Sequence, residues 1–311
     1  MKEKIFNMMV IIISLFVLSQ LLINKSMIHL SIMYGLKLWV ESLIPTLFPF
    51  FIISDILINY NITSYIPKII NKYCKSLFKI SDNMLTILLL SMISGFPSNA
   101  RNTRTLYDKG IISLEEANHI LIFSHFANPI FILVVIGGSF FHNQRLGIIL
   151  LISHYVSNLL LGIFFRNKFC HNEKKEGYKI SSLNFGKVFI SSINRAVDTI
   201  LTICGIVVVF SMLSTIVVNT FNFSSYNEML IKGLFEMTIG MQALSTLGIS
   251  SIYKAVIASG ILAFGGISVH VQVLSQIVDT KINYIFFLIG RMFQVIISGL
   301  ITYVICIIIR I

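Results

Sequence analysis

Charge is what this sequence has least of. Of its 311 residues only 12% are Asp, Glu, Lys or Arg and 56% are apolar. A soluble domain carries roughly twice that charged fraction. With a mean hydropathy of +0.86, the shortage excludes a large soluble core and puts nearly the whole chain in or against lipid. Acids are scarcer than bases, 13 against 24, for a net charge of +11. The lysines and arginines stand in short stretches between apolar runs. That is the distribution of the positive-inside effect, so no nucleic-acid partner is expected. Cys74, Cys170, Cys204 and Cys306 include no CxxC pair, which leaves neither a zinc nor a disulfide framework. HExxH, Walker A and GxSxG are all missing. Ser98 with His125, and Ser268 with His270, have no orienting acid close in sequence. No catalytic residue, metal or cofactor is expected, and the chain does not read as an enzyme.

What is there is a series of apolar runs near the length of about 20 residues that crosses a bilayer. Residues 5–24 form a lysine-flanked first helix with no small-x-small cleavage site after it, so it reads as retained. A second helix over 33–59 carries Glu41, Pro45, Pro49 and Asp55. Each proline removes a backbone donor and bends the helix. The bend serves either packing or a protein- or water-lined cavity. Lys68, Lys72, Lys75 and Lys79, with Lys2 and Lys4, place the N-terminus and the 60–82 loop in the cytoplasm.

Residues 84–97 are too short to cross alone, and 98–112 are too polar to cross at all. Together they read as a re-entrant hairpin with its tip at Gly95-Phe96-Pro97-Ser98. Ser113 and Glu116 have capping-box spacing and open an apolar helix over about 114–141 that contains His125 and is broken by Asn128-Pro129. Residues 145–165 cross next, with His154 and Asn158 four apart. The polar stretch 166–195 reads as a basic cytoplasmic linker between two halves. In the second half, 196–219 cross, 220–227 turn outside, 228–249 form a helix with Glu236 inside it, and 255–278 form a second hairpin around Gly265. A last helix covers 283–309. The chain divides into 1–32 (first helix), 33–165 (first half), 166–195 (linker) and 196–311 (second half).

Displacing the second half by 170 positions lays Gly95 on Gly265 and Ser98 on Ser268. Repeats that each carry an interrupted helix point to a transporter site at the interruptions. Charge parity leaves both inverted and same-side hairpins open. Candidate solute ligands are Gly95, Ser98, Asn99, Asn128, Glu236, Gly265, Ser268, His270 and Gln272. Ser, Asn and Gln both donate and accept, which suits a small polar solute. Glu236, between Phe235 and Met237, faces either a cavity or Lys232 one turn back. His270 is a proton carrier or a packing residue. Arg101 and Arg104 are expected to snorkel at the cytoplasmic interface.

The run SGFPSNARNTRTLYDKGIISLEEANHILIFSHFANPIFI, followed by LFEMTIG and AFGGISVHVQV, resembles the nucleoside-recognition (Gate) domain family, within it the YlbJ-like group of sporulation integral membrane proteins. The similarity extends from about Leu38 to the C-terminus. It implies an all-α polytopic membrane protein of two related halves, each with a re-entrant helical hairpin, resembling the core of concentrative nucleoside transporters. It further implies a bacterial multi-pass protein in a membrane of the developing spore, required for spore cortex formation and binding or moving a nucleoside-like solute or cortex precursor. The alternative is a non-transporting scaffold that organises other sporulation membrane proteins. The lipid bilayer is a partner in either case.

Overall fold

The computed structural model describes residues 2–168 and 184–310. Residues 169–183, the middle of the linker read from sequence, lie outside the described residues. The described chain is helical throughout, and no strand occurs among the described residues. The elements are α1 (Lys2–Ile23), α2 (Lys25–Leu38), α3 (Ile44–Asn59), α4 (Lys68–Phe78), α5 (Asp82–Ser94), α6 (Ser98–Asp108), α7 (Leu114–Phe123), α8 (Gln144–Phe165), α9 (Phe185–Phe221), α10 (Ser225–Phe235), α11 (Met237–Thr246), α12 (Ser251–Phe264), α13 (Gly266–Ile277) and α14 (Tyr284–Ile308).

Six of the described helical stretches are long and apolar enough to cross a bilayer, or seven if α4 and α5, bent by 96°, count as one. The α2–α3 rod, Lys25–Asn59, begins eight residues before the sequence-based estimate and is continuous through a π-helical turn at Trp39–Leu43. Pro45 has no N–H to offer the Glu41 carbonyl, and a π turn absorbs such a missing donor. α9 starts at Phe185, so residues 185–195 are helical and not linker.

Two apolar clusters form the interior. One joins Leu38 and Phe51 with Phe131, Ile149, Met241 and Leu262. The other joins Met84, Leu88, Ile120 and Phe123 with Phe287. Outward faces stay apolar: Ile12 on α1, Val209 on α9 and Ile296 on α14 are all exposed, as a lipid-facing surface requires.

The helix over 114–141 is interrupted, as expected at Asn128-Pro129, and the break takes in residues 124–128. α7 opens on the expected capping box, in which Ser113 Oγ accepts from the Glu116 amide (3.2 Å) and the Glu116 carboxylate from the Ser113 amide (2.9 Å). It ends at Phe123, and helical backbone resumes only near Ile130, as a π segment over Phe131–Phe140. The 228–249 helix is likewise two helices, α10 and α11, parted at Glu236. The stretch read as a second hairpin is one span, Ser251–Ile277, broken at Gly265 but running on. The chain reverses at Glu236 instead. A Cβ on Gly240 would stand 2.1 Å from the Gly233 Cα, so α10 and α11 are folded tightly together.

The order of elements repeats. A rod of 35 or 37 residues (α2–α3, α9) leads to a first helix break (95–97, 236), then a second (124–128, 265), then a closing helix (α8, α14). α14 begins 140 positions after α8, and Glu236 falls 140 after Phe96. The repeat read at 170 from glycine and serine identities thus stands at about 140 from the first break onward, while the rods that precede the breaks are 160 apart.

Candidate functional site

In each half the two breaks touch. α5 ends at Ser94, and Gly95 turns the chain at φ 78°, ψ −176°, a conformation that favours glycine. A Cβ there would lie 2.6 Å from the Asn128 amide nitrogen. Ser98 donates to the Gly95 carbonyl (2.6 Å) and hydrogen-bonds the Ser94 hydroxyl. Asn128 donates to the Ile93 and Thr46 carbonyls (3.1 Å each) and accepts from the Ile130 (2.8 Å) and Phe131 (3.3 Å) amides. A side-chain amide has two donors and two acceptor positions, and all four are used. Asn128 thus fastens α3, the end of α5 and the restart after Pro129.

The second half does the same with other residues. Glu236 has extended backbone and caps α11. Its carboxylate accepts from the Thr238 (2.8 Å) and Ile239 (3.0 Å) amides and from the Thr238 hydroxyl (3.2 Å). A carboxylate at a helix N-terminus satisfies orphan amides and opposes the positive end of the macrodipole. Lys232, its possible partner from sequence, instead pairs with Glu228. Gly265 and Gly266 have φ of 85° and 74°. A Cβ on Gly266 would meet the Met237 nitrogen at 3.0 Å and the Phe235 carbonyl at 3.2 Å, so this break rests on the Glu236 turn. His270 bridges the Phe264 carbonyl that ends α12 (Nε2, 3.1 Å) and the Tyr284 hydroxyl on α14.

A file of rings joins the two break pairs. Phe96 stacks on His125 (4.7 Å between centroids), and Phe287 meets His125 (4.8 Å) and His270 (5.2 Å) edge-on. The 124–128 backbone between α7 and Pro129 is held by three residues that the sequence did not single out as ligands. His154 accepts from the Ala127 amide (3.0 Å), Asn158 donates to the His125 carbonyl (2.7 Å), and fully buried Arg291 donates to the Ile122 carbonyl and the Asn158 oxygen (3.1 Å each). Arg291 sits where α7 ends, so the negative end of that helix serves as its counter-charge. A basic residue in the middle of an apolar C-terminal run was the available signal.

Of the expected ligands, Gly95 and Asn128 meet in one pair of breaks, and Glu236 and Gly265 in the other. Ser98, Asn99, Ser268, His270 and Gln272 are all buried. Among the described residues, neither amide atom of Asn99, nor the Ser268 hydroxyl, nor either ring nitrogen of His125 has a hydrogen-bond partner. Buried polar groups are nearly always paired, so these groups, like the Asn102 and Ser124 side chains, have capacity to bind something else.

Arg101 departs from expectation. It does not reach outward but is 7% exposed, over the Phe51 ring and 3.8 Å from the buried Asp55 carboxylate. Asp55 also accepts from Ser192 (2.6 Å) and Arg195 on α9. Arg101 and Arg195 border a cleft of about 530 Å³ between α6, α9 and α13, lined also by Arg104, Thr105, Asp198 and Gln276. Arg104 spans it by pairing with Asp279 beyond α13 (2.7 and 2.8 Å). That contact holds the Asp279 carboxyl below its ordinary range.

These features define a polytopic all-α membrane protein whose helices break in pairs inside the bundle. Residues 40–143 match the family described as Gate, nucleoside recognition; the match takes in the first pair of breaks. The chain is also 27% identical over 297 residues to the sporulation integral membrane protein YlbJ of Bacillus subtilis (strain 168), covering 84% of this chain and 73% of that protein. The expected resemblance to the Gate and YlbJ-like proteins therefore stands. No solved structure matches the chain.

Proposed function

We propose that this chain is a non-enzymatic, transporter-like protein of a sporulating bacterium, which binds a small polar solute between its two halves and moves it across a membrane of the developing spore. One observation carries the reading: each half stacks two helix breaks together, and buried polar side chains beside them, Asn99 and Ser268, have no hydrogen-bond partner among the described residues. Interrupted helices in membranes are tolerated where they face protein or a cavity, and in repeat-built transporters they form the site. Nucleoside-like compounds or cortex precursors fit the donor-and-acceptor chemistry of Asn and Ser. The sporulation setting rests on the similarity to the named relative, and the role in cortex formation only on the resemblance to the YlbJ-like group. Asn128 and Glu236 hold the breaks in shape, while Asn99, Ser268 and His125 meet the solute. In an endospore-forming host lacking its own copy, the wild-type chain should restore heat-resistant spores. Asn99→Ala and Ser268→Ala should insert normally and fail to restore them. Full complementation by both variants would refute the site assignment.

A further inference from the structure

α4 is too short and too charged to cross a bilayer. Its 11 residues carry Lys68, Lys72 and Lys75 and span about 16 Å, roughly half the hydrocarbon core. It bends 96° away from α5, the largely buried helix that runs to the Gly95 break. At about 3.6 residues per turn its side chains sort into three rows. Cys74 and Phe78 pack inward. A Cβ on Gly162 of α8 would meet the Phe78 ring at 2.8 Å, and Phe78 stacks on Phe123 at the end of α7 (5.9 Å between centroids). Lys68, Lys72 and Lys75, continued by Lys79, form a row on one side of that packed face. Ile69, Tyr73 and Leu77 form a row on the other side. All three are exposed, Ile69 to 70% and Tyr73 to 71%. The basic and apolar rows thus point in nearly opposite directions, with the bundle at their flank.

The charges around α4 are unbalanced. Among the described residues, Lys75 pairs with Asp82 (2.8 Å), and no other carboxylate pairs with α4, Lys79, Arg166 or Lys168. The end of α8 adds its own cations to the same place. Arg166 donates to the Leu77 carbonyl (3.5 Å), and Lys79 donates to the Asn167 side chain (2.6 Å). Lys168 lies over the Phe165 and Phe286 rings (5.4 and 5.6 Å). Tyr73, Cys74, Ser76, Leu77 and Arg166 enclose a hollow of about 310 Å³. It sets one guanidinium against apolar walls. A phospholipid presents the complement, a phosphate on acyl chains.

We propose that α4 lies in the plane of the membrane surface and, with the end of α8, docks an acidic phospholipid of the cytoplasmic leaflet. The leaflet follows from the lysine distribution, which puts this loop inside. Arg166 takes the phosphate, as a guanidinium fork does. Tyr73 and Leu77 lie along the acyl chains, and the lysine row meets neighbouring acidic headgroups. Because Phe78 stacks on Phe123, the lipid that seats α4 also steadies the end of α7, next to the 124–128 break. The proposal is independent of the solute reading.

The full chain is reconstituted into nanodiscs of phosphatidylcholine, with or without phosphatidylglycerol. Spin labels are placed at Lys72→Cys and Tyr73→Cys in a chain otherwise free of cysteine. The Tyr73 label should respond more to oxygen than to a water-soluble nickel chelate, and the Lys72 label the reverse. Equal chelate access at both would overturn the in-plane placement. Thermal unfolding of the unlabelled chain should shift upward when phosphatidylglycerol is present. Arg166→Gln with Lys168→Gln should remove most of that lipid-dependent shift, which a merely structural loss would leave in place. Lys68→Gln with Lys72→Gln, both exposed, should also reduce the shift and carries the test if the first pair does not fold. Lys4→Gln with Lys187→Gln removes the same charge from α1 and α9 and should keep the shift. An equal loss there would mean diffuse surface charge and not a docking site, and would overturn the proposal, as would a wild type without any shift. Inorganic phosphate added to phosphatidylcholine discs should have no effect. If it reproduced the shift, the site would take a soluble anion and the lipid assignment would fail.

Discussion

Arg291 illustrates how this protein keeps charge inside an apolar bundle. Among the described residues no carboxylate pairs with it; backbone carbonyls at the end of α7 and the Asn158 side chain do. Hydrogen bonds to charged donors contribute about 1.5–3 kcal/mol each, and acceptors left bare when buried are penalised further. Arg291→Ala should therefore destabilise the protein by about 3 kcal/mol or more, read as a lowered unfolding midpoint of the purified protein in detergent. An unchanged midpoint would mean that the 124–128 backbone does not depend on this residue. At this scale the sequence showed which polar residues were out of place but not their work. Asn128 was visible as a polar residue before a proline, yet its four partners come from three separate segments of chain.

The breaks are the elements that matter, and their positions were largely legible. Gly-Phe-Pro, Asn-Pro and Gly-Gly each carry their conformational reason in the residue types. The Glu236 break was not, because no glycine or proline stands at the turn itself. There a carboxylate caps the restarted helix, and the glycines that permit the reversal lie three residues before and four after, at Gly233 and Gly240. Glu236→Gln keeps an acceptor for the Thr238 and Ile239 amides and should cost about 1 kcal/mol or less. Glu236→Ala removes the cap and should cost about 1–2 kcal/mol. Thermal unfolding of the two variants side by side measures the difference. Equal losses would argue that the negative charge, not the cap, is what the break requires.

For the whole molecule, fold class and membrane placement followed from composition and run length, but pairing and repeat register did not. Local identities between Gly95–Ser98 and Gly265–Ser268 favoured an offset of 170, whereas the breaks and closing helices stand about 140 apart, because each break finds its partner across more than 25 residues of chain. Long-range contact of that kind leaves no local pattern. The Arg104–Asp279 pair ties α6 to the turn after α13 across the cleft mouth. Hydrogen bonding from Arg104 lowers the Asp279 pKa from its ordinary 3.8. The contribution of the pair is thus fully present above the ordinary carboxylate range and is lost only as pH falls through the lowered value. The distance between spin labels on Tyr107 and Lys281 should stay constant from about pH 8 to about pH 5 and lengthen in Asp279→Asn throughout. A change within that range in the wild type would place control of the cleft mouth elsewhere.

The claim that the paired breaks border a path for solute can be tested without knowing the solute. Single cysteines at Asn99 and Ser268, in a chain otherwise free of cysteine, are exposed to a membrane-impermeant maleimide in sealed vesicles of either orientation. Val278→Cys, which is exposed beyond α13, serves as the reference. Both buried positions should react from at least one aqueous side, more slowly than the reference, because the halves open to admit solute. If neither reacts from either side while Val278→Cys is labelled to completion, the breaks are sealed structural joints and the protein is not a transporter of this design.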